Sequence, residues 1–179
     1  YMLQFSRKLG LPERYARWQP TVDAMLSELD HSNPNGCIYL MVDQAIVKAG
    51  ETHRRGGPHI DGNWLPTAGR HGTGTGRHGV TNGRHGTGRH GTNNGNDWAV
   101  KNLAPEAIVL ASDVTGSCAY VGEIDGDPAV GGDCSHLELS KLKRRVLRGG
   151  TAYIGNVTMI HESIPVKRNC KRTLVRLNI

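Results

Sequence analysis

From Gly69 to Asn96 the chain is built almost entirely from Gly, Arg, His, Thr and Asn, with Arg-His-Gly returning at 70, 77, 84 and 89. Glycine at this density gives up more backbone entropy on ordering than any other residue, and the tract has almost no apolar surface to bury in return. It cannot supply a core. It also accounts for a lean composition of 37% hydrophobic and 5% aromatic residues with one Phe. The tract holds four arginines and no acidic residue, so setting it aside lowers the formal charge from +6 to about +2 for the remainder. A charge that small gives the folded part little hold on nucleic acid, and no aromatic platform is interleaved with the arginines.

The tract reads as a flexible surface insertion between two strands. Other uses stay open. Its arginines and histidines suit phosphates, an acidic polymer or a transition metal, and contacts between neighbouring copies would make it an assembly element. Beginning eight residues after Asp61, it is also placed to serve as a lid.

The remaining length is enough for one core, so residues 1–179 are read as a single domain. Residues 1–36 form a helical N-terminal support, and residues 37–179 form a β core carrying the 69–96 insertion. Pro12 opens a short helical turn that Pro20 breaks. A helix from Thr21 follows, with Val22, Met25, Leu26 and Leu29 making an i, i+3, i+4, i+7 stripe that needs a sheet to lie against. Cys37 to Val47 reads as a buried strand. Ala107–Val114 and Cys118–Ile124 read as two strands joined in a hairpin at Thr115-Gly116, and Leu137–Leu147 fits either a short helix or an extended edge. Thr151–His161 and Arg172–Asn178 complete a set of short strands with regular turns, which predicts a mainly β fold of jelly-roll type with the N-terminal helices packed on one sheet.

No apolar run reaches membrane-spanning length and no charged-then-apolar leader is visible, so a cytoplasmic location is the default expectation. The start at Tyr1 implies a missing or processed natural N-terminus. Cys37, Cys118, Cys134 and Cys170 lack Cys-x-x-Cys spacing and read as reduced thiols; Cys134 with His136 is too small a set for zinc. Lys141, Lys143, Arg144, Arg145 and Arg148 read as a solvated basic face.

Chemistry concentrates in Gly-Gly-Pro-His59-Ile-Asp61-Gly-Asn-Trp64. A strand places residues i and i+2 on one side, so His59 and Asp61 can face one ion while Ile60 faces away. His161 lies 102 positions further on in Met-Ile-His-Glu-Ser, and Arg172 follows 11 later in Lys-Arg-Thr-Leu-Val-Arg. Two imidazoles and a carboxylate suit divalent iron and leave its opposite face open for a 2-oxo acid and dioxygen. The planar guanidinium of Arg172 suits the far carboxylate of that acid, with Arg176 on the same strand face as the rival anchor.

From Cys37 to Ile179 the chain resembles the Fe(II)/2-oxoglutarate-dependent dioxygenase superfamily, on His59-Ile-Asp61, His161-Glu-Ser and Arg172-Thr-Leu-Val-Arg176. The resemblance implies a double-stranded β-helix with His59, Asp61 and His161 as metal ligands and Arg172 as the 2-oxoglutarate anchor. It implies Fe(II) and 2-oxoglutarate as cofactor and co-substrate, and hydroxylation of an unidentified substrate. Trp64 reads as a core plug or as part of the substrate mouth. A non-catalytic jelly-roll protein that retains the metal set and assembles through the repeat tract is the alternative.

Overall fold

The computed structural model describes residues 2–27, 29, 36–61, 84–86, 107–156 and 158–179. The chain forms β1 (Leu3–Phe5), α1 (Gln19–Leu26), β2 (Ile38–Val47), β3 (Arg84–Gly86), β4 (Ala107–Ser112), β5 (Ser117–Val121), β6 (Glu123–Asp125), β7 (Lys143–Leu147), β8 (Ala152–Asn156), β9 (His161–Ser163) and β10 (Cys170–Asn178). It is a mainly β fold in which, among the described residues, every strand pairing is antiparallel. One sheet runs β1-β2-β10-β4-β8, a second β7-β5-β9, and β3 pairs with β6. No closed barrel forms among the described residues.

Side-chain alternation along β10 sets the layers. Val175 and Leu177 face a core shared with Val22, Met25 and Leu26 of α1, so the helix covers the outer face of the five-stranded sheet as its apolar stripe requires. Leu29 packs at the margin of the same core. Arg172, Leu174 and Arg176 take the alternate positions and line pockets on the inner side. Ile108 and Leu110 of the large sheet meet Ala119 and Leu147 of the small one, with Met159, to form the packing between the sheets.

Three local expectations are revised. Pro20 does not break the leading turn: a 3₁₀ segment at Glu13–Trp18 runs into α1, which takes Pro20 in its first turn, where a missing N–H costs no helical bond. The N-terminal support is not purely helical, since β1 extends the large sheet beside β2. Thr115-Gly116 does not close a hairpin. β4 pairs with β10 and β8 while β5 pairs with β7 and β9, so the link carries the chain from one sheet to the other. Gly116 is required there by packing: a Cβ would lie 2.9 Å from the guanidinium carbon of Arg172. The ambiguous Leu137–Leu147 stretch resolves into a 3₁₀ turn at Leu139–Lys141 and the edge strand β7. The exposed charges of β7 discourage pairing with another chain.

Among the described residues no helix is long and apolar enough to cross a membrane. The repeat tract and Trp64 lie outside the described residues, apart from the backbone of β3.

Candidate functional site

Gly57, at φ 81°, turns the chain into Pro58 and the short extended stretch that carries His59. His59 then exchanges both backbone hydrogen bonds with His161, each at 2.9 Å. The two histidines are therefore direct cross-strand neighbours, and their ring centroids stand 4.7 Å apart. On the other edge of the stretch, Ile60 N donates to Gly132 O and Cys134 N to Pro58 O, both at 2.9 Å. Alternation does the rest. Ile60 is buried on the far face with Ile124, Cys134, Leu142 and Ile160, while His59 and Asp61 face one cavity.

That cavity, about 260 Å³, is lined by His59, Asp61, His161 and Arg176 among others. Each imidazole is fixed by its own backbone: His59 Nδ1 lies 2.7 Å from Gly57 O and His161 Nδ1 lies 3.0 Å from Met159 O. A carbonyl oxygen only accepts, so Nδ1 carries the hydrogen in both rings and Nε2 of a neutral ring presents a lone pair. Burial, the neighbouring His161 and the charge of Arg55 push the His59 pKa down to about 4, against the opposing pull of the Gly57 carbonyl. At neutral pH this ring is a neutral donor.

Asp61 Oδ1 accepts from Arg176 Nη1 at 2.7 Å. Its Oδ2 is buried without a hydrogen-bond partner among the described residues and stands 4.0 Å from His161 Nε2. Buried carboxylate oxygens are costly when unpaired, and this one shares the cavity with the two imidazoles. The donor types fit a divalent first-row ion. Among the described residues, however, no three His, Cys, Asp or Glu side chains are drawn onto a common metal-holding centre.

The two arginines of β10 differ. Arg176 lines the cavity and holds Asp61. Arg172 is fully buried and lies behind it, in a much smaller pocket that shares Leu110, Ser117 and Leu174 with the first. Its Nε donates to Val114 O at 3.1 Å and Nη2 to Ser117 Oγ at 2.9 Å, while Nη1 has no hydrogen-bond partner among the described residues. Among the described residues Arg172 takes part in no ion pair, although Asp113 and Asp43 act on its charge from a distance. Burial lowers its pKa from the usual arginine value.

The sequence reading missed the stretch just before Gly56. The His53 side chain is 1% exposed, and its Nε2 lies 3.5 Å from Asp43 Oδ1, a long ion-pair contact; among the described residues neither ring nitrogen has a well-formed hydrogen bond. Arg54 pairs with Asp43 at 2.7 Å and lines the cavity with Arg55. Only the adjacency of His-Arg-Arg to Gly-Gly-Pro-His hinted at this, and adjacency does not reveal burial. A second missed group involves Glu162, whose Oε1 accepts from Tyr120 Oη at 2.7 Å and from Cys118 Sγ at 3.2 Å, with Arg144 at 3.6 Å. Cys134 is buried with its thiol toward Gly132 O, whereas His136 is exposed and bonds Asp127 O, so the two are held by separate partners.

No protein-family model matches the chain, and no curated protein matches it by sequence. Among the solved structures that resemble it are two of one protein, both weak matches. A non-haem monooxygenase, ThoJ, in its nickel complex aligns at TM-score 0.42 and 14% identity, over 92% of this chain and 51% of that one. Apo ThoJ aligns at 0.43 and 13%, over 96% of this chain and 59% of that one. The chain thus spans only 51% and 59% of these structures' own lengths.

Proposed function

We propose that this chain is an Fe(II)- and 2-oxoglutarate-dependent dioxygenase, a hydroxylase, built as a single domain on a double-stranded β-helix. The architecture is supported by how the strands interleave. Successive strands β2, Pro58–Asp61, β4, β5, β7, β8, β9 and β10 divide between β2-β10-β4-β8 on one side and β7-β5-β9 on the other, with His59 bridged to β9.

The carrying observation is the pair of imidazoles tied at Nδ1 beside a carboxylate with an unpartnered oxygen. His59, Asp61 and His161 would hold the ion through Nε2, Oδ2 and Nε2. Iron would supply the dioxygen chemistry that amino acids lack. Arg176 fixes one oxygen of Asp61 and so leaves the other to face the cavity. Arg172 offers a buried cation that, among the described residues, has a free N–H and no carboxylate of its own, which suits the distal carboxylate of oxoglutarate. Ser117, shared by both pockets, lies between Arg172 and the cavity wall and would have to move or share its hydrogen bond for that grip to form.

Calorimetric titration tests this. Ni(II) should bind the full chain and lose affinity at least about tenfold in His161→Ala or Asp61→Ala. Oxoglutarate affinity should fall in Arg172→Lys with metal binding intact. Loss in Arg176→Lys alone would move the anchor to Arg176.

The Asp61–Arg176 ion pair favours a second reading, a non-catalytic β-sandwich in which arginine neutralises the carboxylate in place of a metal. Metal-independent stability and no metal affinity in the wild type would select it.

A further inference from the structure

The cavity is lined by three arginines and two carboxylates. Most of that charge is internally matched. Arg176 is paired with Asp61 and Arg54 with Asp43, both at 2.7 Å, and Glu162 is engaged by Tyr120, Cys118 and Arg144. Arg55 is the exception. Its Nη1 and Nη2 share one acceptor, the Gly131 carbonyl, each at 3.3 Å. Two long bonds to one neutral oxygen hold the guanidinium in place without answering its charge. Among the described residues no carboxylate is within ion-pair distance of Arg55. Asp133 feels its charge, but Asp133 Oδ1 accepts from the Ser135 amide at 3.2 Å and hydroxyl at 2.7 Å. Arg55 acts on His59 as well, so its field reaches the proposed metal-ligand face.

We propose that Arg55 is the docking point for an anionic group, a carboxylate or a phosphate, on the molecule this cavity takes as substrate, an inference that rests on the oxygenase reading above. A braced guanidinium with unused N–H donors matches the planar fork of a carboxylate or two phosphate oxygens. The brace matters because a pre-positioned arginine loses less freedom on binding than a free one. The position also separates substrate from co-substrate: Arg55 precedes His59 on the loop, whereas Arg172 lies behind Leu174 and Ser117 in the smaller pocket.

The test is calorimetric titration of the full chain with benzoate, benzamide and phenyl phosphate, with and without saturating 2-oxoglutarate. Benzoate and benzamide share size and shape and differ in charge. Expected is tighter binding of an anion than of benzamide, with a preference that falls about tenfold in Arg55→Gln, recovers in part in Arg55→Lys and persists in Arg172→Lys. The stronger of benzoate and phenyl phosphate then identifies the source of the anion. Equal binding of acid and amide, an acid preference that survives Arg55→Gln, or no binding of any probe overturns the proposal. Failure of oxoglutarate to bind would overturn the oxygenase reading and leave the probe comparison legible. Arg55 is exposed, so its variants should melt as the wild type does.

Discussion

At the scale of single residues the decisive quantities are protonation and access. An unfolded histidine takes up a proton near pH 6.5, but folded His59 does so only at about 4. The folded state is therefore favoured above 6.5 and loses stability as the pH falls from 6.5 toward 4, below which the effect levels off. His53 shifts in the same direction, chiefly through burial. Metal-free melting curves across this range should slope less steeply in His59→Asn, whose amide can still reach the Gly57 carbonyl; an unchanged slope would mean that the ring titrates normally. The thiols give an independent reading. Cys118 and Cys134 are buried and pushed up to about 12, mainly by burial, whereas Cys37 is exposed. A colorimetric thiol reagent should label Cys37 fast and Cys170 more slowly, leaving the other two silent until the chain is denatured. His59 and Asp61 were legible as a pair because the two-residue period of a strand fixes which side chains share a face. The same parity put Arg172 and Arg176 together. It carried no information on depth, so neither the full burial of Arg172 nor that of the His53 ring was readable.

Among elements, the stretch that delivers His59 depends on the Val130-Gly-Gly-Asp turn, legible in the sequence as a turn but not as the partner of that stretch. Gly132 has φ 78°, and a Cβ there would lie 2.2 Å from Ile60 O, against the backbone between the two proposed ligands. Gly132→Ala should cost at least about 1–3 kcal/mol from the left-handed conformation alone. The clash should also shift His59 and Asp61, so metal affinity should fall together with the melting temperature. Leu177→Ala offers the contrast. Leu177 is fully buried between the large sheet and α1, away from the cavity. Its truncation should cost about 2–5 kcal/mol by chemical denaturation while leaving ligand affinities of the folded protein unchanged. The helix stripe was legible because apolar residues at helical spacing fit a one-sided helix and little else, although α1 ends at Leu26 and so carries Val22, Met25 and Leu26 but not Leu29. The supposed hairpin at Thr115-Gly116 was not: a glycine turn between two apolar runs looks the same whether the chain folds back or crosses to the opposite sheet, and the packing of Arg172 against Gly116 is invisible in local pattern.

For the whole molecule, alternation says which face a residue takes but not which strand lies beside it, since those partners are set by long-range pairing. The mainly β character and the helix-covered sheet were therefore readable, and the order β1-β2-β10-β4-β8 was not. The remaining global question is what residues 69–96 contribute. Their composition offers no core, and the backbone pairing of Arg84–Gly86 with Glu123–Asp125 is a two-stranded ladder of three residues a side. Such a ladder is marginal on its own, so replacing 69–96 with a short Gly-Ser link should leave the melting temperature close to that of the intact chain. Ni(II) affinity should also persist, because both edges of the stretch bearing His59 and Asp61 are held by β9 and by residues 132–134. Particle size and oxoglutarate turnover, measured together on this deletion, separate the roles of the tract. A smaller particle with turnover retained makes it an assembly element, and unchanged size with turnover lost makes it a lid over the cavity. Collapse of the fold or of Ni(II) binding would refute the argument that the core is complete without it.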